Sequence, residues 1–205
     1  MTEPIRIEFY YSIDSRYSYL ASTQIGRLER ETGAEVEWLP LSAAELIAAA
    51  NPNYRPFGGT PPSGQYAWPY RKYDAQCWAD YYGVPYREPD DPHVHPSNLA
   101  CVAAQRLGDA VALSHRLFQA QFVEGRSSFD DNALTELAAS AGLDRKRFRD
   151  LLHDAETEAL HRANIRRAVE RGAFGVPTFV VGGRMFWGND RLPLVYHAIK
   201  MLRGL

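Results

Sequence analysis

The chain has 205 residues, 45% hydrophobic and 23% charged, which suits one well-buried domain or a small domain carrying an insertion. Its net charge of −2 gives no reason to expect nucleic acid or an anionic membrane as partner, and no apolar run approaches a membrane span. The opening residues, MTEPIRIEFYY, have neither the basic start nor the apolar core of an export signal, so a cytoplasmic protein is expected. Cys77 and Cys101 are too far apart for a C-x-x-C pair and too few for a cysteine-rich zinc site. Both are expected as reduced, buried thiols.

In chain order, Ile5 to Tyr11 predicts a strand. From Ser15, apolar residues at Tyr17, Leu20, Ile25 and Leu28 predict a helix, with Ser15 or Asp14 as N-cap and an end near Gly33. EVEWLPLS alternates into a second strand, so the first forty or so residues read β-α-β. AAELIAAA is a short helix, and NPNYRPFGGTPPSGQ is a long loop. AWPYRKYDAQCWADYYG is helical and aromatic, and VPYREPDDPHVHPSN is a Pro-rich connector. Helical patterns resume in NLACVAAQRLG, DAVALSHRLFQAQFVEG and DNALTELAASAGLD, and then in a single stretch, RKRFRDLLHDAETEALHRANIRRAVERG. GVPTFVVGGRMFWG reads as two short strands about a Gly-Gly turn, and RLPLVYHAIKMLRGL as a closing helix that begins after Gly188. This order predicts an α/β, thioredoxin-like fold, β-α-β … α-β-β-α, with an all-helical insertion. Residues 1–42 and 156–205 form the thioredoxin-like domain and 43–155 the insertion.

Three stretches carry chemistry, each with two open readings. Ser15 starts a helix, where unpaired backbone N–H groups and the positive end of the dipole favour an anion. It is either a plain N-cap or a hydroxyl that donates to a thiolate the protein does not itself possess. In GVPTFVV, Pro177 precedes a strand and is either a trans edge proline or the cis proline that presents backbone to a peptide-like ligand. In FWGNDRL, Asn189 and Asp190 are either helix caps or, for Asp190, an acceptor for a ligand ammonium. His93 and His95 lack a third ligand, so no metal site is expected. His115, His153, His161 and His197 read as surface or packing residues, and RKRFR as a solvated helix face. Trp68, Tyr70, Tyr73, Trp78, Tyr81 and Tyr82 cover more than one helix face, part core and part available to line a pocket for an aromatic substrate.

Taken together, SRYSYLA, GVPTFVV and MFWGNDRL resemble the 2-hydroxychromene-2-carboxylate isomerases and kappa-class glutathione transferases, relatives of the DsbA-type oxidoreductases. The resemblance extends through YRKYDAQCWADYYGVP, LFQAQFVEG and ALTELAASAGLD. It implies a glutathione-dependent isomerase, usually dimeric, in which Ser15 hydrogen-bonds the glutathione thiolate. Val176, with Pro177 behind it, would hold the cysteinyl part through its backbone. Asn189 and Asp190 would hold the γ-glutamyl end, with Asp190 on the ammonium. The thiolate adds to a conjugated enone, the former double bond rotates, and elimination returns glutathione unchanged. The electrophile implied is an aromatic α-keto acid or related carbonyl, with Arg16, Trp68 and Tyr70 as substrate contacts. The same residues would serve a conjugating transferase, and a relative that has lost glutathione would keep the fold for another ligand. Three positions depart from the family pattern: Arg16 follows the serine in place of proline, Gly59 or Thr60 stands for an asparagine, and Ala67 for a lysine. Arg16 either sets a cation near the thiolate or turns to water. With serine at both Ser15 and Ser18, dithiol oxidoreductase chemistry is excluded.

Overall fold

A computed structural model describes residues 4–51, 67–89 and 97–204. Gly59, Thr60, His93 and His95 lie outside the described residues.

Strand β1 (Arg6–Tyr11) is buried at every position after Arg6, because both of its edges and both of its faces are covered. It pairs in parallel with β2 (Glu35–Pro40) and antiparallel with β3 (Thr178–Val181). The edge strand β4 (Arg184–Trp187) completes the order β2-β1-β3-β4. The β3–β4 turn falls at Gly182 and Gly183, whose φ values of 55° and 76° are those of a tight hairpin turn closed to most side chains. Side chains alternate across the sheet. Ile7, Phe9 and Tyr11 enter one core with Leu20, Ile25, Phe118 and Val195. Tyr10 turns to the other, with Leu39, Leu46, Ile165 and Val180.

Helix α1 (Arg16–Thr32) follows β1 and ends at Gly33. Helix α2 (Ala43–Ala50) follows β2. Helices α3 (Trp68–Tyr82), α4 (Ser97–Arg106), α5 (Ala110–Phe122), α6 (Asp131–Ser140) and α7 (Arg145–Leu152) lie between α2 and α8 (Ala155–Glu170). Helix α9 (Leu192–Leu202) closes the chain. Aspartates cap four consecutive helices, α5 to α8: Asp109, Asp130, Asp144 and Asp154 each accept a backbone N–H of the first turn. No helix among the described residues is long and apolar enough to cross a membrane.

Three expectations change. The stretch from Arg145 to Glu170 is two helices, because Asp154 stops the first and caps the second, and Arg106 of α4 ties down Asp154, Thr157 and Glu156. The closing helix begins later than expected, after a 3-10 turn at Asn189–Arg191, and neither Asn189 nor Asp190 caps it by its side chain. Cys77 is exposed while Cys101 is buried, since the buried face of α3 is that of Ala75 and Ala79.

Candidate functional site

The sheet pairing gathers the three motifs at one end. Tyr10 lies opposite Thr178, and Thr178 opposite Trp187. The exit of β1 towards Ser15, the entry of β3 after Pro177 and the exit of β4 into Gly188 therefore share an edge. Gly188 N–H donates to Pro177 O at 2.9 Å and joins the last two directly.

Ser15 takes the N-cap, with φ −98° and ψ 113°, and its Oγ accepts Ser18 N–H at 3.1 Å. Asp14 was the other candidate for this cap. The hydroxyl proton of Ser15 has no acceptor among the described residues. The turn before it is tied to α4: Asn98 accepts Ile13 N–H at 2.8 Å and donates to Ser12 Oγ at 3.1 Å and Asp14 Oδ2 at 2.9 Å. Ser15 N–H in turn donates to Ser12 O at 3.1 Å. Ser18, one helical turn on, is fully buried, and its Oγ accepts Ser12 N–H at 3.4 Å.

The Val176–Pro177 peptide bond is cis, which closes the choice left open by the sequence. Val176 packs its side chain on the outer-face cluster, and its backbone N–H and C=O have no hydrogen bond among the described residues. Asn189 is 3% exposed, and its Nδ2 is a buried donor with no partner. Tyr82 of α3 donates to the Asn189 carbonyl at 3.2 Å, which fixes the turn without using the side-chain amide. Asp190 keeps its carboxylate 43% exposed, 3.6 Å from Arg191. That carboxylate folds back over Gly188, where φ is 115° and a Cβ would meet Asp190 Oδ1 at 2.3 Å. Only glycine fits under it.

Arg16 does not turn to water. It is 4% exposed and pairs through Nη2 with Glu88 Oε1 at 2.5 Å. Its guanidinium lies 4.3 Å from the centroid of the half-exposed Trp68 ring. Burial pulls its pKa down, opposed by the Glu88 carboxylate. Tyr70 is half exposed, with no hydrogen bond or ring contact to α1 among the described residues. Asp74, the acid of the α3 motif, accepts Tyr17 OH at 2.7 Å and so tethers α3 to α1. Ala67, where the family pattern has a lysine, is the N-cap of α3, with no side-chain cap bond. Trp78, Tyr81 and Tyr82 meet one another edge-on or tilted; Trp78 and Tyr82 pack against the core, while Tyr73 and Tyr81 face solvent.

Sequence reasoning missed Glu88, Tyr86 and Asn98. Each stands in or beside a Pro-rich connector, and nothing local to that stretch signals a partner at the start of α1.

The model of the DSBA-like thioredoxin domain matches residues 6–200. A 2-hydroxychromene-2-carboxylate isomerase of Sphingobium xenophagum is 30% identical over 189 residues, 91% of this chain and 93% of that one. The protein of the same name from Pseudomonas putida is 27% identical, over 96% of this chain and 95% of its own. A solved 2-hydroxychromene-2-carboxylate isomerase structure superposes with a TM-score of 0.82 at 27% identity, covering 97% of this chain and 96% of that one.

Proposed function

The chain belongs to the DsbA-like thioredoxin family and, within it, to the family of 2-hydroxychromene-2-carboxylate isomerases, and on that basis we propose that it is an isomerase that uses glutathione. The observation that carries this reading is the state of the Ser15 hydroxyl. Its oxygen is engaged by Ser18 N–H, and its proton is left to donate outward from a helix N-terminus. Bound there, glutathione supplies a thiolate that adds reversibly to a conjugated carbonyl and permits rotation about the former double bond.

The chain's own residues do the rest. The start of α1 offers the N–H groups of Arg16 and Tyr17, which have no hydrogen bond among the described residues, and its dipole favours the anion. Ser15 adds one charge-assisted bond, so the thiol falls below its ordinary pKa of about 8.5. Val176 offers an unpaired backbone N–H and C=O to the peptide part of the ligand. The buried, unpartnered Nδ2 of Asn189 fits a carbonyl or carboxylate oxygen, and the exposed Asp190 carboxylate fits an ammonium. These are the donors and the acceptor that a γ-glutamyl group requires. The electrophile is an aromatic keto acid or related carbonyl approaching from the side of Trp68. Arg16 gives the thiolate little net attraction, because Glu88 neutralises it.

Calorimetric titration of glutathione and S-methylglutathione near neutral pH tests the reading. The free thiol is expected to bind clearly more tightly than its methyl ether. Equal affinities, or no heat from either at millimolar concentration, would overturn it.

A further inference from the structure

Two guanidiniums stand over the Trp68 ring, in opposite states. Arg16 lies 4.3 Å from the ring centroid, is 4% exposed and is matched by Glu88. Arg71, in the first turn of α3, lies 5.6 Å from the same centroid and 6.0 Å from that of Tyr17. It is half-buried and keeps part of its surface in water. Arg71 has no ion pair and no side-chain hydrogen bond among the described residues. Its natural partner is Asp74, one turn along the same helix, but that carboxylate accepts Tyr17 OH at 2.7 Å and forms no ion pair with it. The two ring contacts fix where the guanidinium sits without using any of its N–H donors.

This placement ties Arg71 to the start of α1, because Tyr17 stands two residues beyond Ser15 and Arg16 lies between them. Burial depresses the Arg16 pKa, Glu88 opposes that, and the Arg71 charge adds to the depression, so both cations act on one region. Glu88 answers the charge of Arg16 at 2.5 Å. Among the described residues no carboxylate answers that of Arg71. The cation left to meet an anion beside Trp68 is therefore Arg71, not the residue next to Ser15.

We infer that Arg71 anchors the carboxylate and neighbouring keto oxygen of the electrophile, and so makes the chain selective for aromatic α-keto acids whose ring rests on Trp68. An α-keto acid presents those two oxygens side by side, and a guanidinium takes such a pair with two parallel N–H bonds. Thiolate addition forms a C–S bond, the C=C pair shifts towards the carbonyl, and its charge settles on the keto oxygen as an enolate. Elimination breaks the C–S bond and reverses the shift. A donor already on that oxygen stabilises the charge as it develops. A carboxylate is the chemistry Arg71 fits, and the rings beside it favour an aromatic acid over the glycyl end of glutathione, which carries no ring.

This deepens the proposed glutathione-dependent reading and rests on it, so the two are tested apart. Glutathione is titrated first, and its heat reports on that reading alone. Benzoylformate and its methyl ester, which have no C=C bond for a thiolate to attack, are then titrated into the same protein. The acid is expected to bind about tenfold more tightly than the ester, the weight of one charge-assisted hydrogen bond. Arg71→Gln is expected to erase that preference and to leave glutathione affinity as in the parent. Arg71→Lys, which keeps the charge but not the fork, is expected to restore part of the preference. Lys72→Gln, which removes the neighbouring cation, is expected to retain it in full. Equal binding of acid and ester in the parent would overturn the inference, as would no binding of either while glutathione still binds. So would a loss in Lys72→Gln as large as in Arg71→Gln, which would make the effect one of net charge. A loss of glutathione affinity alone in Arg71→Gln would assign Arg71 to the glycyl carboxylate and overturn it too. Arg71 has no ion pair to lose, so its variants are expected to melt with the parent.

Discussion

Ser15→Ala separates two duties of one hydroxyl. The oxygen caps α1 by accepting Ser18 N–H at 3.1 Å. Replacing a serine cap by alanine costs about 1 kcal/mol, which lowers Tm by about 2–4 °C in a domain of this size. The proton is the proposed donor to the thiolate. A hydrogen bond to a charged group is worth about 1.5–3 kcal/mol, and one pKa unit corresponds to about 1.4 kcal/mol. Its loss therefore raises the pKa of the bound thiol by about one to two units. Where that pKa then lies above the assay pH, thiolate and turnover fall about ten- to hundredfold. The assay is the ultraviolet absorbance of the bound thiolate against pH, with a thermal melt on the same sample. Ser15→Gly isolates the second duty, because glycine replaces a serine cap at a loss of only a few tenths of a kcal/mol. Its melt is expected near that of the parent, with a thiol pKa as high as in Ser15→Ala. A lower Tm in Ser15→Ala with an unchanged thiol pKa would reduce the serine to a helix cap and refute the reasoning.

Asn189→Ala removes the buried Nδ2 but not the main-chain oxygen that Tyr82 holds. Glutathione affinity is expected to drop about tenfold, a loss of about 1.4 kcal/mol by calorimetry; unchanged affinity would remove Asn189 from the site. Iodoacetamide is expected to modify the exposed Cys77 in the native protein and to reach Cys101 only on unfolding, since burial pushes the Cys101 thiol up to about 12. Two adducts on the folded protein, counted by mass spectrometry, would contradict this. His161 is buried, and its Nε2 accepts Ser42 N–H at 3.0 Å, so it is held neutral; burial depresses its pKa, with Glu45 and Arg162 acting in opposite senses. A depressed histidine leaves stability intact above its unfolded value of about 6.5 and erodes it as pH falls towards the folded value. The urea midpoint is expected to fall with acidification through that window, and to fall less steeply in His161→Gln. Equal slopes would show that another group governs the loss.

Most of the elements were legible in the sequence because their signals are local. A serine or aspartate before an apolar period caps a helix by bonding an N–H two or three residues on, and Gly182–Gly183 sets a turn by its own backbone freedom. The three site motifs were legible for the same reason, since each marks an element end: Ser15 begins a helix, Pro177 enters a strand, and Gly188 leaves one. The break between α7 and α8 was less plain. Asp154 is a cap by type, but within a charged helical run it reads as one more solvated acid until Arg106, far away in sequence, is seen to hold it.

Arg16 shows the limit most clearly. By sequence it is a charged residue at an exposed helix start, with a cation's usual choice between an anion and water. Only the packed fold brings Glu88 and Trp68 onto it and takes water away. The period of Tyr17, Leu20, Ile25 and Leu28 likewise finds the apolar face of α1 but not the burial of Ser18 and Ser22 beside it. Cys77 and Cys101 differ only in which face of a helix meets a neighbour. Propensities, caps and turns act within a few residues along the chain, so sequence alone determines where elements begin and end. Burial, ion pairing and the satisfaction of polar atoms depend on groups brought together across the fold, so the tertiary structure alone decided which charge is free, which donor is unpaired and which thiol is exposed.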